Sequence, residues 1–294
     1  MINKLKGCGV AIITPFHKHG TVDFTSLGKV VEHIISNGVN YIVALGTTGE
    51  TATLTEKEKV AVTDFIIETT DNRIPVVLGI GGNNTQKIIE QVKETNFEGI
   101  SAILSVAPYY NKPQQKGLFY HFKSIEEVSP VPMIIYNVPG RTGVNITAET
   151  TLKLAREVEG IIGVKEASGN LMQIMQIIKD KPNDFLVISG DDALTMPAIS
   201  AGADGVISVV ANAFPKEFSD MVKFSLEGNI KKAKEIHYKL FDFSNAIFED
   251  GSPAGIKAAL EYLELCQNNL RLPLVKVNKQ TITNIHNTIK EIVS

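Results

Sequence analysis

The chain has little cysteine, no excess of either charge and no long apolar run, and each shortage argues against a class of protein. Its 294 residues hold two cysteines, Cys8 and Cys266, near opposite ends, with no Cys or His beside them at metal-ligand spacing. That argues against a disulfide scaffold or a zinc site and fits a reducing compartment, so a cytoplasmic location is expected. The 29 basic and 32 acidic side chains leave a formal charge of -3, too little to gather nucleic acid or an anionic membrane. No apolar stretch approaches the roughly 18 to 20 residues of a membrane helix. Lys4 and Lys6 precede an apolar run over 8–13, but Thr14-Pro15-Phe16-His17-Lys18 offers no small-residue cleavage site, so this start reads as a first strand. The six histidines show no HxxxH spacing, so neither a metal nor a His-based triad is expected. The partner these features leave is a small molecule.

What the chain does have is rhythm. Short β-branched runs recur over 9–14, 41–45, 76–80, 102–106, 133–137, 161–166, 185–189 and 206–210, with segments of helical character between them. In the first, 24–37, Leu27, Val30, Val31, Ile34 and Ile35 form one apolar stripe, with Asp23 placed to cap its start and Gly38 its end. Thr55 and Glu58 stand at capping-box spacing before a second helix, and Thr85 precedes the apolar Ile88, Ile89 and Val92 of a third. Strands apolar on both faces that alternate with helices imply a parallel sheet covered by helices, and eight units close a barrel. The competing open, doubly wound sheet usually carries a Gly-rich first βα turn, whereas Thr14-Pro15-Phe16-His17 contains no GxGxxG. After Ala213 the pattern is helical throughout, over 216–226, 230–248, 253–265 and 282–293. The expected fold is therefore α/β, a (β/α)8 TIM barrel over residues 1–226 with an all-helical C-terminal extension over 227–294.

In such a barrel the chemistry sits at the carboxyl ends of the strands. Lys165 is the sharpest signal there, a cation within the otherwise buried run Ile161-Ile162-Gly163-Val164-Lys165-Glu166-Ala167. Burial disfavours an ammonium and favours the neutral amine that attacks a carbonyl as an imine-forming nucleophile. The bland alternative is a lysine that snorkels from the strand end or pairs with Glu166. Thr47 and Thr48 lie in Gly46-Thr47-Thr48-Gly49-Glu50-Thr51, a strand-to-helix loop that suits a carboxylate or is simply polar. Gly79-Ile80-Gly81-Gly82-Asn83-Asn84 lacks the Lys-Ser/Thr ending of a P-loop and reads as a tight turn. Tyr136 and Arg141 share one strand end, where a phenol moves protons and a guanidinium holds a carboxylate, or where an edge tyrosine and a solvated arginine simply sit. Tyr109 and Tyr110 follow the fourth run. Asp191 and Asp192 follow the seventh, where helix capping is a better account than a carboxylate pair or a metal.

Several of these segments occur in the order of a known group. Thr14-Pro15-Phe16, the Gly46 to Glu50 loop, Pro108-Tyr109-Tyr110-Asn111, Tyr136-Asn137-Val138-Pro139, Gly163-Val164-Lys165, Ser189-Gly190-Asp191 and Arg271-Leu272-Pro273-Leu274 together resemble the pyruvate-dependent class I aldolase superfamily of dihydrodipicolinate synthases and N-acetylneuraminate lyases, over most of the chain. Arg141-Thr142 after the Tyr-Asn-x-Pro segment favours the synthase branch, since the sialic acid lyases typically lack that arginine. The resemblance implies condensation of pyruvate with aspartate-4-semialdehyde through an imine on Lys165, without an added cofactor. It implies a proton relay of Tyr136, Thr48 and Tyr110, with Tyr110 entering a neighbouring subunit's site in a homotetramer. It also implies that Thr47 and Thr48 hold the pyruvate carboxylate, Arg141 the semialdehyde carboxylate, and that Gly190 and Ile207 line the pocket. The rivals are a sialic acid lyase or keto-sugar acid aldolase, and a non-catalytic keto-acid-binding protein. The stretch Ser252-Pro253-Ala254-Gly255-Ile256-Lys257 departs from the commoner Asn-Pro-x-Pro-x-Lys. Glu56 and Lys59 stand where lysine-inhibited members tend to have histidines, and Lys87 where they present a glutamate to the inhibitor's ammonium. A like charge there repels the effector. Lysine in the micromolar range should therefore leave turnover at neutral pH unchanged; a dose-response assay showing micromolar inhibition would contradict this.

Overall fold

The eight strands form in a computed structural model that describes residues 2–294. They are β1 (Gly7–Ala11), β2 (Tyr41–Ala44), β3 (Val76–Gly79), β4 (Ile100–Val106), β5 (Met133–Asn137), β6 (Ile161–Glu166), β7 (Leu186–Ser189) and β8 (Gly205–Ser208). Neighbours run parallel in sequence order and β1 pairs with β8, closing the barrel. β1 ends at Ala11, earlier than its apolar run suggests, because its continuation is engaged by loops at the mouth. The Ile13 amide donates to the Asn212 side chain at 3.2 Å and the Thr14 hydroxyl to the Gly49 carbonyl at 2.7 Å. β8 likewise stops at Ser208, and Val210–Asn212 coils into a 3-10 turn.

The helices start where their caps place them. Asp23 accepts from the Ser26 amide at the head of Phe24–Ser36, and Thr55 and Glu58 form the reciprocal capping box of Glu56–Thr70. Thr85 is not the cap of its helix. Asn84 accepts from the Lys87 amide before Thr85–Glu94, while the Thr85 hydroxyl hydrogen-bonds to His121 Nδ1 at 2.8 Å. The remaining crossover helices are Gln115–Glu126, Ala148–Glu157, Leu171–Asp180 and Thr195–Ser200, and Pro215–Leu226 follows the last strand. Three more, Ile230–Ala246, Ala254–Tyr262 and Lys279–Val293, form the extension. Among the described residues no helix is long and apolar enough to cross a membrane.

The apolar side chains divide into two layers. Val43, Val77, Leu104, Ile134, Ile162, Leu186, Ile188 and Ile207 fill the barrel, with Leu5 packed among them. A larger outer layer packs strands against helices. Strand pleating alone would sort side chains alternately between these layers, but β6 breaks the alternation once. Met133 pairs with Ile161 and Ile134 with Gly163, so the ladder slips past Ile162. Ile161 and Val164 belong to the outer layer and Ile162 to the interior. The slip therefore turns Lys165 inward and Glu166 outward.

Closure has one tight point. A Cβ on Gly205 would lie 2.1 Å from the Gly7 carbonyl oxygen, backbone that the β1–β8 ladder fixes in place. Gly205→Ala should lower stability by about 3 kcal/mol, the upper end of what overpacking usually costs, read as a fall in thermal midpoint; an unchanged midpoint would show that the seam yields.

Candidate active site

The inward end of β6 delivers Lys165 to the mouth of the barrel, where the residue is 5% exposed. Tyr136 is its register partner on β5 and also faces inward. The Lys165 Nζ lies 4.4 Å from the centroid of the Tyr136 ring, close enough for the ring face to attract a cation. Pairing with Glu166, the competing reading of the sequence, does not occur. That carboxylate points into the outer layer, where it accepts from Asn137 Nδ2 at 2.9 Å, Gln173 Nε2 at 2.8 Å and the Ser168 amide at 2.8 Å. Snorkelling into solvent does not occur either, since the residue is buried. Gly190, after β7, leaves room for the lysine stem: a Cβ there would sit 2.9 Å from Lys165 Cε and 2.6 Å from Ala167 Cβ.

A cavity of about 540 Å³ opens above Lys165 and Tyr136. One wall is the β2 loop, in which Thr47–Gly49 and Thr51–Thr53 form short 3-10 turns hinged at Glu50, whose φ is 52°. Thr48 is buried and Thr47 exposed, and both face the cavity. The opposite wall follows β5, where the single helical turn Pro139–Thr142 ends on Gly143 in the left-handed conformation and presents Arg141 to the cavity. The arginines with acidic partners are Arg73, with Glu32, and Arg271, with Glu58; among the described residues the Arg141 guanidinium has none. The arrangement is therefore a buried amine and a phenol at the floor, hydroxyls on one side and an uncommitted cation on the other. It suits a small oxo acid bearing a carboxylate, joined by a second anionic reactant.

Two residues expected in the site lie elsewhere in this chain. Ile207 is buried in the barrel interior, and Val209, two positions on, forms the wall above it. Tyr110 is 83% exposed with φ of 76° and lies outside the cavity that this single chain encloses. Other residues join the site without any local motif. Ser244, Asn245, Phe248 and Ser252 of the extension form its outer rim, a placement set by how the last helices fold back. Glu56 and Lys59 pair with each other at 2.9 Å on the surface of their helix.

The two aspartates after β7 also line the cavity, and each is engaged by hydrogen bonds to its own loop or the next. Asp191 accepts from the Leu194 amide at 3.1 Å just before Thr195–Ser200, in the manner of a cap. Asp192 turns inward instead and accepts from the Ser208 hydroxyl, the Val209 amide at 3.1 Å and the Val210 amide at 3.4 Å. It thus ties the β7 and β8 loops together. Burial pushes its carboxyl up to about 6, against the downward pull of those hydrogen bonds.

Residues 4–292 match the Dihydrodipicolinate synthetase family. The 4-hydroxy-tetrahydrodipicolinate synthase of Parabacteroides distasonis is 51% identical over 98% of this chain and 97% of its own. Among solved structures, a dihydrodipicolinate synthase from Aquifex aeolicus superposes with a TM-score of 0.94 at 39% identity, covering 98% of each chain. The chloride-inhibited dihydrodipicolinate synthase from Acinetobacter baumannii, complexed with pyruvate, gives 0.95 at 39% identity over 98% of this chain and 99% of the other.

Asp192 gives the site a pH signature. Its folded carboxyl, at about 6, lies above the ordinary 3.8, so between those values the folded chain holds a proton that the unfolded chain has released. Stability from this group is present at low pH and lost as pH rises through about 6. The advantage of wild type over Asp192→Asn in thermal unfolding should therefore shrink by about 1 kcal/mol between about pH 5 and about pH 8. A difference constant across that range would contradict the burial of an ionisable carboxyl here.

Proposed function

This chain belongs to the dihydrodipicolinate synthetase family, and from that membership we propose how its barrel mouth condenses pyruvate with L-aspartate-4-semialdehyde to give 4-hydroxy-tetrahydrodipicolinate, a step of lysine and diaminopimelate biosynthesis. Lys165 is the nucleophile. Its Nζ adds to the ketone carbon of pyruvate and the carbonyl oxygen leaves as water, forming a protonated imine. That imine draws electrons from the methyl carbon, which loses a proton and becomes an enamine. The enamine carbon attacks the aldehyde of the second substrate and the aldehyde oxygen takes up a proton. The amino group of that substrate then adds to the imine carbon and displaces Lys165, closing the ring.

Thr47 and Thr48 hold the pyruvate carboxylate, and Tyr136, Thr48 and Tyr110 pass the protons between substrate and solvent. Gly190 shapes the pocket beside the lysine, and Ile207 supports from below the Val209 that forms the apolar wall. Arg141 takes the semialdehyde carboxylate. The observation that carries the reading is the buried Lys165 amine above the Tyr136 ring, 4.4 Å from its centroid, in one cavity with Arg141, which has no acidic partner among the described residues. A sialic acid lyase would not need that arginine, and a keto-acid sensor would gain nothing from a buried amine. The exposed Tyr110 belongs to a neighbouring subunit's site across a tight dimer interface, within a homotetramer. Residues 1–226 then act as the catalytic barrel and 227–294 as a supporting extension. The two buried, free thiols, Cys8 and Cys266, fit action in the cytoplasm.

Borohydride reduction in the presence of pyruvate, followed by mass mapping, should leave a pyruvate adduct on Lys165, and none in Lys165→Arg. Arg141→Ala should keep that trapping intact while raising the KM for aspartate semialdehyde about ten- to a hundredfold, the worth of one charge-assisted hydrogen bond. Wild-type turnover by Arg141→Ala, or an adduct on another lysine, would overturn the assignment.

A further inference from the structure

The β2 loop that faces the cavity is held from behind by the C-terminal extension. Lys257, on the helix Ala254–Tyr262, is fully buried, and its Nζ donates to Glu50 Oε1 and to the Asn269 carbonyl at 2.9 Å. Neither side chain of the pair reaches solvent. The other Glu50 oxygen accepts from the Arg271 amide at 3.1 Å. The Arg271 guanidinium donates to the carbonyls of Gly20 and Thr53 and pairs with Glu58, at the head of the helix that follows the loop. The Phe16 ring is close to both cations, its centroid 4.3 Å from Lys257 Nζ and 4.5 Å from Arg271 Cζ.

Taking two charges out of water costs about as much as their attraction returns, so a buried pair contributes little net stability but fixes one geometry. What this pair fixes is Glu50, a non-glycine residue at φ of 52° between the turn Thr47–Gly49 and the next. A left-handed residue of this kind persists where its surroundings over-determine it. With Gly49 anchored from the other side by the Thr14 hydroxyl, the loop is clamped at both faces within two residues of Thr48. Burial pushes the Lys257 ammonium down and the Glu50 carboxylate opposes that push.

We infer that Glu50 and Lys257 are positioning residues: the buried pair joins the extension to the β2 loop and sets the placement of Thr47 and Thr48 for the pyruvate carboxylate. This rests on the assignment of those threonines to pyruvate. Neither Glu50 nor Lys257 touches the cavity, and both act through the loop.

The test uses the full chain and two variants. Glu50→Asp keeps both charges and shortens the reach by one methylene, which drags the loop. Glu50→Gln/Lys257→Met removes the charges together and leaves none stranded. With thermal midpoints recorded for each, both should raise the KM for pyruvate about tenfold or more and slow borohydride trapping on Lys165 at subsaturating pyruvate, while the KM for aspartate semialdehyde moves less than threefold. Trapping of wild type at Lys165 tests the parent assignment separately. If either variant folds and binds pyruvate with the wild-type KM, or if both substrates lose affinity equally, the inference is overturned; should the double variant fail to fold, Glu50→Asp alone decides it.

Discussion

A one-residue slip between β5 and β6 governs the chemistry of this protein. Because the ladder passes over Ile162, Lys165 projects into the barrel beside Tyr136 and Glu166 projects into the helical layer, where three donors engage it. Had the strand kept strict alternation from Ile161, the two charges would have exchanged layers. An anion would then stand at the barrel mouth and an unpartnered cation among the outer-layer side chains, which is costly. The slip therefore separates two adjacent charged residues into two environments, one bordering the cavity and one enclosed in the helical layer.

The surrounding construction keeps that amine in place. Gly190 leaves out the Cβ that would strike the lysine stem, and Asp192 ties the β7 loop to the start of the loop after β8. The extension completes the mouth: its rim residues border the cavity, and Lys257 and Arg271 reach back to the β2 loop. The barrel and its C-terminal helices are joined at the mouth, since the β2-loop wall of the cavity is braced by residues more than 200 positions along the chain.

Much of this was legible in the sequence. The eight apolar runs marked the strands, because a parallel sheet buried on both faces requires continuous hydrophobicity, and the caps at Asp23 and Thr55 fell where the helices begin. Strand ends were less legible at β1 and β8, where Asn212 engages the Ile13 amide and Asp192 the Val209 and Val210 amides, all of residues that an apolar run counts as strand. Thr85 marked the start of its helix, where Asn84 is the cap and the threonine serves His121 instead. In the site, Lys165, Tyr136, Thr47, Thr48, Arg141 and Gly190 stand at the cavity as the strand-end rule requires. Val209 and the rim from Ser244 to Ser252 carried no local signal, and Glu50 and Lys257 appeared only as parts of motifs with no visible connection.

The sequence by itself determined the eightfold rhythm, the helical tail and the presence of a lysine inside a strand, because hydrophobic periodicity and capping are local properties of the chain. It could not determine which way that lysine points. A side chain's layer depends on the parity of its strand, parity depends on register with a neighbour, and register is settled only when the strands pair. The same reason hid the clamp on Glu50: an ion pair between residues 207 positions apart exists only once the extension has folded back onto the barrel.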